Sequence, residues 1–523
     1  MTETAKRPSR GKGSGRAARM KARQSDAGPK AIWPGVQGGA YKPLTDAELE
    51  KVHQAALAIL ERTGLGDWTD ELRDICVPAG ATINEHGRLC FPRALVEDAL
   101  AKVPNEYLVH ARGSRKGKDD MHCTKQSVYF CNSGTAVTTF QPETKTYRPS
   151  IAKDMYDFTR LVDQLDNISM TSDTVLATDH NDDFPHDMTM VYALMAASEK
   201  PTCFSFRQRE HILPGIEIMD IAHGGEGKFL KEPSAIFGGC PVVSPLRFGE
   251  ENLGVMIDTA KLGLTIDLAV APQSGATAPA TLAGILAQVT AETLACLTIV
   301  QIIHPGCAFT FAAWPFITDL RTGSFTGGSG EQALVAAAAI QMGNFYDLPC
   351  SVGCGMTDSK IPDAQFGYEK ALAFTLAAHA GANRLCEAGG MMGSLMGCSF
   401  EAMVMDNEIM GMVLRTLRGI EVNDDTLSLD IIHEAVTGPG HFLGADQTLS
   451  VMETEYSYPE LLDRSPTGQW EQEGQTDLYD RSSVKAQEIL GSHFPNFFNK
   501  LDDDKIRSKF DIGIKQSDMN AAS

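Results

Sequence analysis

Residues 353–371 read GCGMTDSKIPDAQFGYEKA. The run leading into them, LPCSVGCGM (348–356), is apolar, strand-like and ends in glycines. A polar tip follows, made of Thr357, Asp358, Ser359 and Lys360. A proline-led helix comes next and carries Asp363, Gln365, Tyr368, Glu369 and Lys370. Strand, polar tip and helix form the unit from which a β/α barrel builds the wall of an active site.

The same unit recurs on both sides. Apolar runs occur at SVYFCNSG (127–134), ISMTSDTV (168–175), PTCFSF (201–206), SAIFGGCPV (234–242), TIDLAVAPQ (265–273), CAFTFAAW (307–314), PCSVGCGM (349–356) and RLCEAGGM (384–391). Helical patterns fill the gaps at 153–165, 186–199, 248–262, 277–302, 328–346 and 362–381, and another follows at 400–418. Eight strands alternating with helices predict an α/β fold, a (β/α)8 TIM-type barrel over residues 126–422. A doubly wound open sheet is the rival. No GxGxxG opens a helix after a strand, which weakens a nucleotide-binding reading.

Outside the repeat, residues 31–125 read as an α-rich extension. In it, TDAELEKVHQAALAILERT (45–63) pairs Thr45 as N-cap with Glu48 at capping-box spacing. Residues 423–523 read as a helical C-terminal extension whose last stretch of about 20 residues frays, as chain ends do. Residues 1–30 hold nine Lys/Arg against two Asp/Glu and no apolar periodicity, so a disordered basic arm is expected. The arm has no apolar centre and is not a secretory signal; an untargeted tail or a transit peptide both fit.

The 523 residues carry a formal charge of −21, which argues against non-specific nucleic-acid binding. No stretch reads as a membrane span of ~18 apolar residues. Twelve scattered cysteines show no CxxC pairing, so reduced thiols in a cytoplasmic protein and no bound metal are expected.

In such a barrel chemistry sits where strands end. The tips carry Asn132, Ser133, Asp173, Ser205, Cys240, Gln273, Ser274, Trp314, Thr357, Asp358 and Glu387. Any one tip can be polar merely because it meets water, but the set suits a polar small molecule. Trp314 is one of four tryptophans, and Phe206 and Phe316 lie at neighbouring tips. Aromatic faces attract quaternary ammonium by roughly 0.5–2 kcal/mol per contact, although core packing explains each ring as well. Glu331 opens a helix after GGSG, a helix start that could hold an anion or that simply matches the helix dipole. His441 lies in the loop GPGHFLG, where it could serve as acid/base or ligand. Asp358 and Lys360 could pair with each other. The candidate catalytic residues are Asp358, Glu387 and His441; the candidate substrate contacts are Phe206, Gln273, Trp314, Phe316, Glu331, Thr357, Lys360 and Tyr368. The run AGGMMGSLMG reads as close packing, or as glycines that let a planar ligand approach the backbone.

Five blocks in order, RTGSFTGGSGEQAL, GMTDSKIPDAQFGYEKAL, DNEIMGMVLRTLRGIEV, GPGHFLGADQTL and EYSYPELLDR, resemble the trimethylamine methyltransferase family. The resemblance runs from about residue 31 to 497. It implies a (β/α)8 barrel that presents an N-methyl group to cob(I)alamin on a separate corrinoid protein. The corrinoid-domain signature Asp-x-His-x-x-Gly is absent here, so the cobalamin would arrive on that partner. The archaeal trimethylamine enzymes carry pyrrolysine; every residue here is standard. The chain is therefore similar to the non-pyrrolysine branch, which implies a quaternary amine, glycine betaine first. Proline betaine, carnitine, γ-butyrobetaine and a sulfonium stay open. His441, the amides opening the 328–346 helix and Lys360 could meet the substrate carboxylate. A homo-oligomer is the family-level expectation. Three rival readings are direct methyl transfer to a thiol or folate, a lyase or hydrolase using Asp358 and Glu387 as acid and base, and a non-catalytic betaine-binding protein.

Overall fold

Eight short strands carry the pattern found in the sequence. They are β1 Ser127–Cys131, β2 Ile168–Met170, β3 Thr202–Phe204, β4 Ala235–Gly239, β5 Ile266–Leu268, β6 Phe309–Thr310, β7 Ser351–Gly353 and β8 Arg384–Cys386. Each lies inside one of the apolar runs, and nearly all their residues are buried. Near-continuous apolar runs are what strands covered on both faces require. After each strand comes a helix: α1 Ala152–Asp163, α2 Asp183–Ala197, α3 Ile212–Ala222, α4 Glu250–Lys261, α5 Leu282–Ile303, α6 Gly330–Phe345, α7 Ala364–Ala380 and α8 Phe400–Leu417. The computed structural model describes residues 31–132 and 134–521; the basic arm, Ser133 and the last two residues lie outside them.

The pairing is parallel throughout this series. β1 pairs with β2 and with β8, β8 with β7, β3 with β4, β4 with β5, and β5 with β6. Isolated parallel bridges, Thr171 to Thr202 and Phe311 to Cys350, link β2 to β3 and β6 to β7. The class is thus mixed α/β, with helices alternating with parallel strands.

Local chemistry explains the helix ends. Ser329, Asp363 and Ser399 cap α6, α7 and α8 through their side-chain oxygens. Gly381, at φ 91°, closes α7 in the left-handed region. α5 is long and apolar enough by length and composition to cross a membrane, but 89% of its apolar window is buried inside the fold. Its residues from Ile285 to Gln301 are all buried. The helix Asp46–Arg62 packs on it through Leu49, Leu57 and Leu60, and starts where expected, with the Thr45 amide donating to Glu48 Oε2 at 2.8 Å. The region before β1 also contains two hairpins, Thr82–Ile83 with Leu89–Cys90 and Glu106–Val109 with Met121–Thr124.

The C-terminal end corrects the expectation of fraying. Lys500–Lys509 is a helix, and Ile506, Phe510, Ile514 and Met519 are buried. Arg507 holds this tail to α2: its guanidinium lies 4.7 Å from the Tyr192 ring centre and pairs with Asp503 at 3.0 Å.

Candidate active site

The site is built on a residue without a side chain. Gly353 ends β7, and a Cβ there would lie 2.8 Å from Trp314 Cε3, 3.0 Å from Glu387 Oε2 and 3.2 Å from Phe316 Cζ. Two rings and a carboxyl from three separate chain segments therefore converge on one point. Gly355 permits a second close approach, since a Cβ would stand 2.1 Å from the Glu387 carbonyl oxygen. Glu387 follows β8 directly and adopts φ 59°. Held left-handed geometry in a side-chain-bearing residue costs ~1–3 kcal/mol and clusters at functional sites.

Trp314 is fixed by a buried relay. Its Nε1 donates to Ser351 Oγ at 3.2 Å, Ser351 Oγ donates to Asp267 Oδ1 at 3.1 Å, and Arg384 forms an ion pair with Asp267. Phe316 is braced edge-on by Phe325, with ring centres 5.1 Å apart.

A second acid lies on the far side of β1. Asp173 follows β2 and accepts from the Ser172 hydroxyl at 2.8 Å. Asn132, after β1, spans the space between: its Oδ1 accepts from Ser172 N at 3.1 Å and its Nδ2 donates to Thr174 Oγ1 at 2.5 Å. Cys240, after β4, is exposed to solvent. Burial pushes Glu387 up to about 8, with the Lys370 ammonium pulling the other way. Burial also pushes Asp173 up to about 6, against the Ser172 hydroxyl. Burial thus raises both carboxyls, Glu387 further than Asp173.

The other expected residues divide. Thr357 is buried and its hydroxyl donates to the Glu369 carboxylate. Asp358 takes Thr326 Oγ1 at 2.5 Å, Gly327 N at 2.8 Å and Ser394 Oγ at 2.5 Å, clamping two neighbouring loops together. Lys360 does not pair with that carboxylate: its Nζ donates to the Asp358 carbonyl at 2.5 Å, and the side chain is otherwise exposed. Gln273 is half-buried in a short strand that pairs with Phe316. Phe206 stacks on Phe237 at 5.9 Å and reaches toward Gly215 of α3, so it faces the helix layer rather than Trp314. Glu331 and Tyr368 are exposed on α6 and α7. His441 is exposed in the segment after α8, and the structure does not bring it to Glu387. Of the glycines of AGGMMGSLMG, Gly389 and Gly390 lie against Asn132, Met403 and the Ser399 carbonyl, and Gly393 and Gly397 lie against Tyr147. Ser351, Asp267 and Arg384 went unread because they lie within strands. Among the described residues no three of His, Cys, Asp and Glu are grouped as a metal ion would need.

Fold and site together define an α/β protein with buried aromatic and acidic side chains gathered at the carboxyl ends of parallel strands. The chain belongs to the trimethylamine methyltransferase (MTTB) family, whose pattern matches residues 12–511, and that membership makes it a methyltransferase. A glycine betaine methyltransferase of Desulfitobacterium hafniense strain Y51 is 28% identical over 90% of this chain and 96% of its own. A trimethylamine methyltransferase MttB of Desulfitobacterium hafniense strain DSM 10664 / DCB-2 is 30% identical over 88% of this chain and 91% of its own. Among solved structures, a dihydropteroate synthase from Coxiella burnetii covers 60% of this chain and 100% of its own at 10% identity and a TM-score of 0.34, a loose likeness.

Proposed function

We propose that this chain removes a methyl group from a quaternary ammonium, glycine betaine first, and passes it to a reduced corrinoid on a separate protein. The observation that carries the reading is the convergence of Trp314, Phe316 and Glu387 around Gly353. The relative named a glycine betaine methyltransferase supports the substrate. The reading takes the eight parallel strands as the staves of a closed (β/α)8 barrel over 126–422, flanked by extensions over 31–125 and 423–523. The continuous run of parallel pairs and bridges supports that closure.

The chemistry asks the protein to do little bond-making of its own. The corrinoid, as methyl acceptor, supplies the nucleophile that takes the methyl carbon. The C–N bond breaks, its electron pair stays on nitrogen, and dimethylglycine forms with a neutral amine and its carboxylate still charged, so the bound molecule goes from net zero to −1 until the amine takes up a proton. Trp314 and Phe316 hold the trimethylammonium by their ring faces. Asp173 is the counter-charge. Glu387, whose carboxyl burial pushes up to about 8, donates in its protonated form to the substrate carboxylate, a role the exposed Lys360 and His441 are badly placed to fill. Asp358 acts as a positioning residue for the loops around the site. Twelve free cysteines support a reducing, cytoplasmic setting. The chain associates with itself as well as with the corrinoid protein.

The test mixes the purified chain with glycine betaine and free cob(I)alamin. Betaine-dependent loss of the cob(I)alamin absorbance with release of dimethylglycine is expected. Binding of betaine by calorimetry without either change, across quaternary amines and sulfonium compounds, would transfer the assignment to direct transfer or to binding alone.

A further inference from the structure

We propose that the buried pair Lys370–Asp406 is the positioning device for Glu387, holding the bend that carries this residue and setting a fixed charge behind its carboxyl. The inference rests on the role given to Glu387 above. It starts from a lysine in an apolar place. On α7, Phe366, Lys370 and Phe374 recur at every fourth position, and all three are buried. The Lys370 ammonium lies 5.1 Å from the Phe366 ring centre and 5.8 Å from that of Phe374, and 2.8 Å from Asp406 Oδ2 on α8. Neither side chain of the pair is exposed. Apolar residues of similar volume often serve stability as well as such a pair does, or better. Stability therefore does not account for its presence.

The bonds of Asp406 do. The same Oδ2 accepts from the Gly390 amide at 2.8 Å. Gly390 ends the bend by which the chain leaves β8 through Glu387. It is left-handed at φ 74°, and a Cβ there would stand 2.7 Å from the Ser399 carbonyl oxygen. Ser399 N donates to the Gly390 carbonyl at 3.0 Å, and Ala388 N donates to Cys131 O of β1 at 3.1 Å. The left-handed backbone of Glu387 is thus tied to β1 on one side and to α8 on the other. Asp406 Oδ1 has no hydrogen-bond partner among the described residues, so Oδ2 carries both bonds. Burial pushes that carboxyl up to about 6, and the Lys370 ammonium opposes the rise.

The pair also acts on Glu387 through space, because the same ammonium opposes the rise of the Glu387 carboxyl. The other titratable groups within reach are thiols. Cys354, after β7, and Cys240, after β4, feel Glu387; Cys398, before α8, feels Lys370 and Asp406. Burial holds Cys354 and Cys398 far above neutral, so they stay protonated.

Two double variants separate the parts. Lys370→Met with Asp406→Asn removes both charges and keeps an oxygen for the Gly390 amide. Lys370→Met with Asp406→Leu removes that oxygen too. Each is made with and without Glu387→Gln, and melting midpoints are read between about pH 5 and 10. In the wild-type background the gain from Glu387→Gln should grow with pH and level off where the folded carboxyl has ionised. Without Lys370 it should level off about one pH unit higher or more. Ile514→Ala, a loss of packing at a buried site far along the chain, is the control and should leave that pH unmoved. In calorimetric titrations the alkaline limit of betaine affinity should rise by the same amount in the Asn variant. The Leu variant, its bend untied, should bind about tenfold more weakly than the Asn variant at every pH. A gain that levels off at the wild-type pH in both double variants, or a Leu variant that binds as tightly as the Asn variant, would overturn the proposal. If betaine binds to none of these proteins, wild type included, the assigned substrate falls, and the melting comparison alone decides on the pair.

Discussion

Glu387 stands where several costs meet. Its backbone is left-handed, its carboxyl is buried, and burial pushes it up to about 8. The sign of its effect on stability follows from proton uptake. An unfolded glutamate ionises near 4.3, so between there and about 8 the folded state holds more protons than the unfolded one. Stability is therefore lost as pH rises through that window. Glu387→Gln removes the burden: the variant should melt higher than wild type at pH 7, with little difference at pH 4, in paired thermal scans. Equal melting at both pH values would show that the carboxyl is not held protonated. The same proton bears on the proposed function. Betaine affinity should fall above pH 8 as Glu387 ionises and below pH 6 as Asp173 is protonated, giving a bell between the two values. Glu387→Gln keeps a donor and should lose only the alkaline limb, while Glu387→Ala should weaken binding at every pH. Calorimetric titrations across the range decide between these patterns.

At the scale of elements, β7 is the best example of what a sequence discloses and what it hides. Its position, the glycines that end it and the helix after it were all legible, because buried parallel strands are apolar almost without interruption. All eight strands fall inside the runs read from the sequence; seven of the eight helices match a pattern read there, α5 beginning later than its own, while α3 (Ile212–Ala222) falls where no helix was read. Trp314 and Glu387 were legible as strand tips. The face each side chain takes was not: Phe206, read as a candidate substrate contact at a strand tip, lies against α3. Ser351 was invisible for another reason. Its partners Trp314 and Asp267 are 37 and 84 positions away, and only the pairing of strands brings them together. That relay makes a prediction. Ser351→Ala leaves the indole N–H without its acceptor, at a cost of about 1 kcal/mol. KM for the quaternary amine should rise about fivefold with kcat nearly unchanged, and tryptophan emission should shift. Ser351→Thr, which restores the hydroxyl, should recover both. A fall in kcat alone would argue that Ser351 does not act through the ring.

The molecule as a whole is closed by a segment that composition disguises. KLDDDKIRSKF is charged and lies near the chain end, so nothing in its pattern marks it as part of the core. Leu501 is exposed, but its other two apolar residues, Ile506 and Phe510, are buried, and Ile514 just beyond it is buried too. The tail also reaches the site. Gly513 N donates to Thr189 Oγ1 of α2 at 2.9 Å, and the glycine lies against His180, at the end of the loop that begins with Asp173. His180 N is tied back to Ala177 O at 3.2 Å, and Asp179 accepts from Ala152 N at 2.9 Å. The tail thus presses on a loop already pinned to α1. Ending the chain after Phe498 uncovers Tyr192 and removes that brace. Burial of two isoleucines and a phenylalanine is worth roughly 1.5–3 kcal/mol each, so the melting midpoint should drop by about 5 °C or more. Because Asp173 is the proposed counter-charge, betaine affinity should fall in the same variant even at temperatures where it is fully folded. Ile514→Ala separates the two effects, since it weakens the packing but leaves Gly513 against His180. It should lower the midpoint while sparing affinity. A truncated chain that melts and binds like the full one would show that the tail merely lies on the surface.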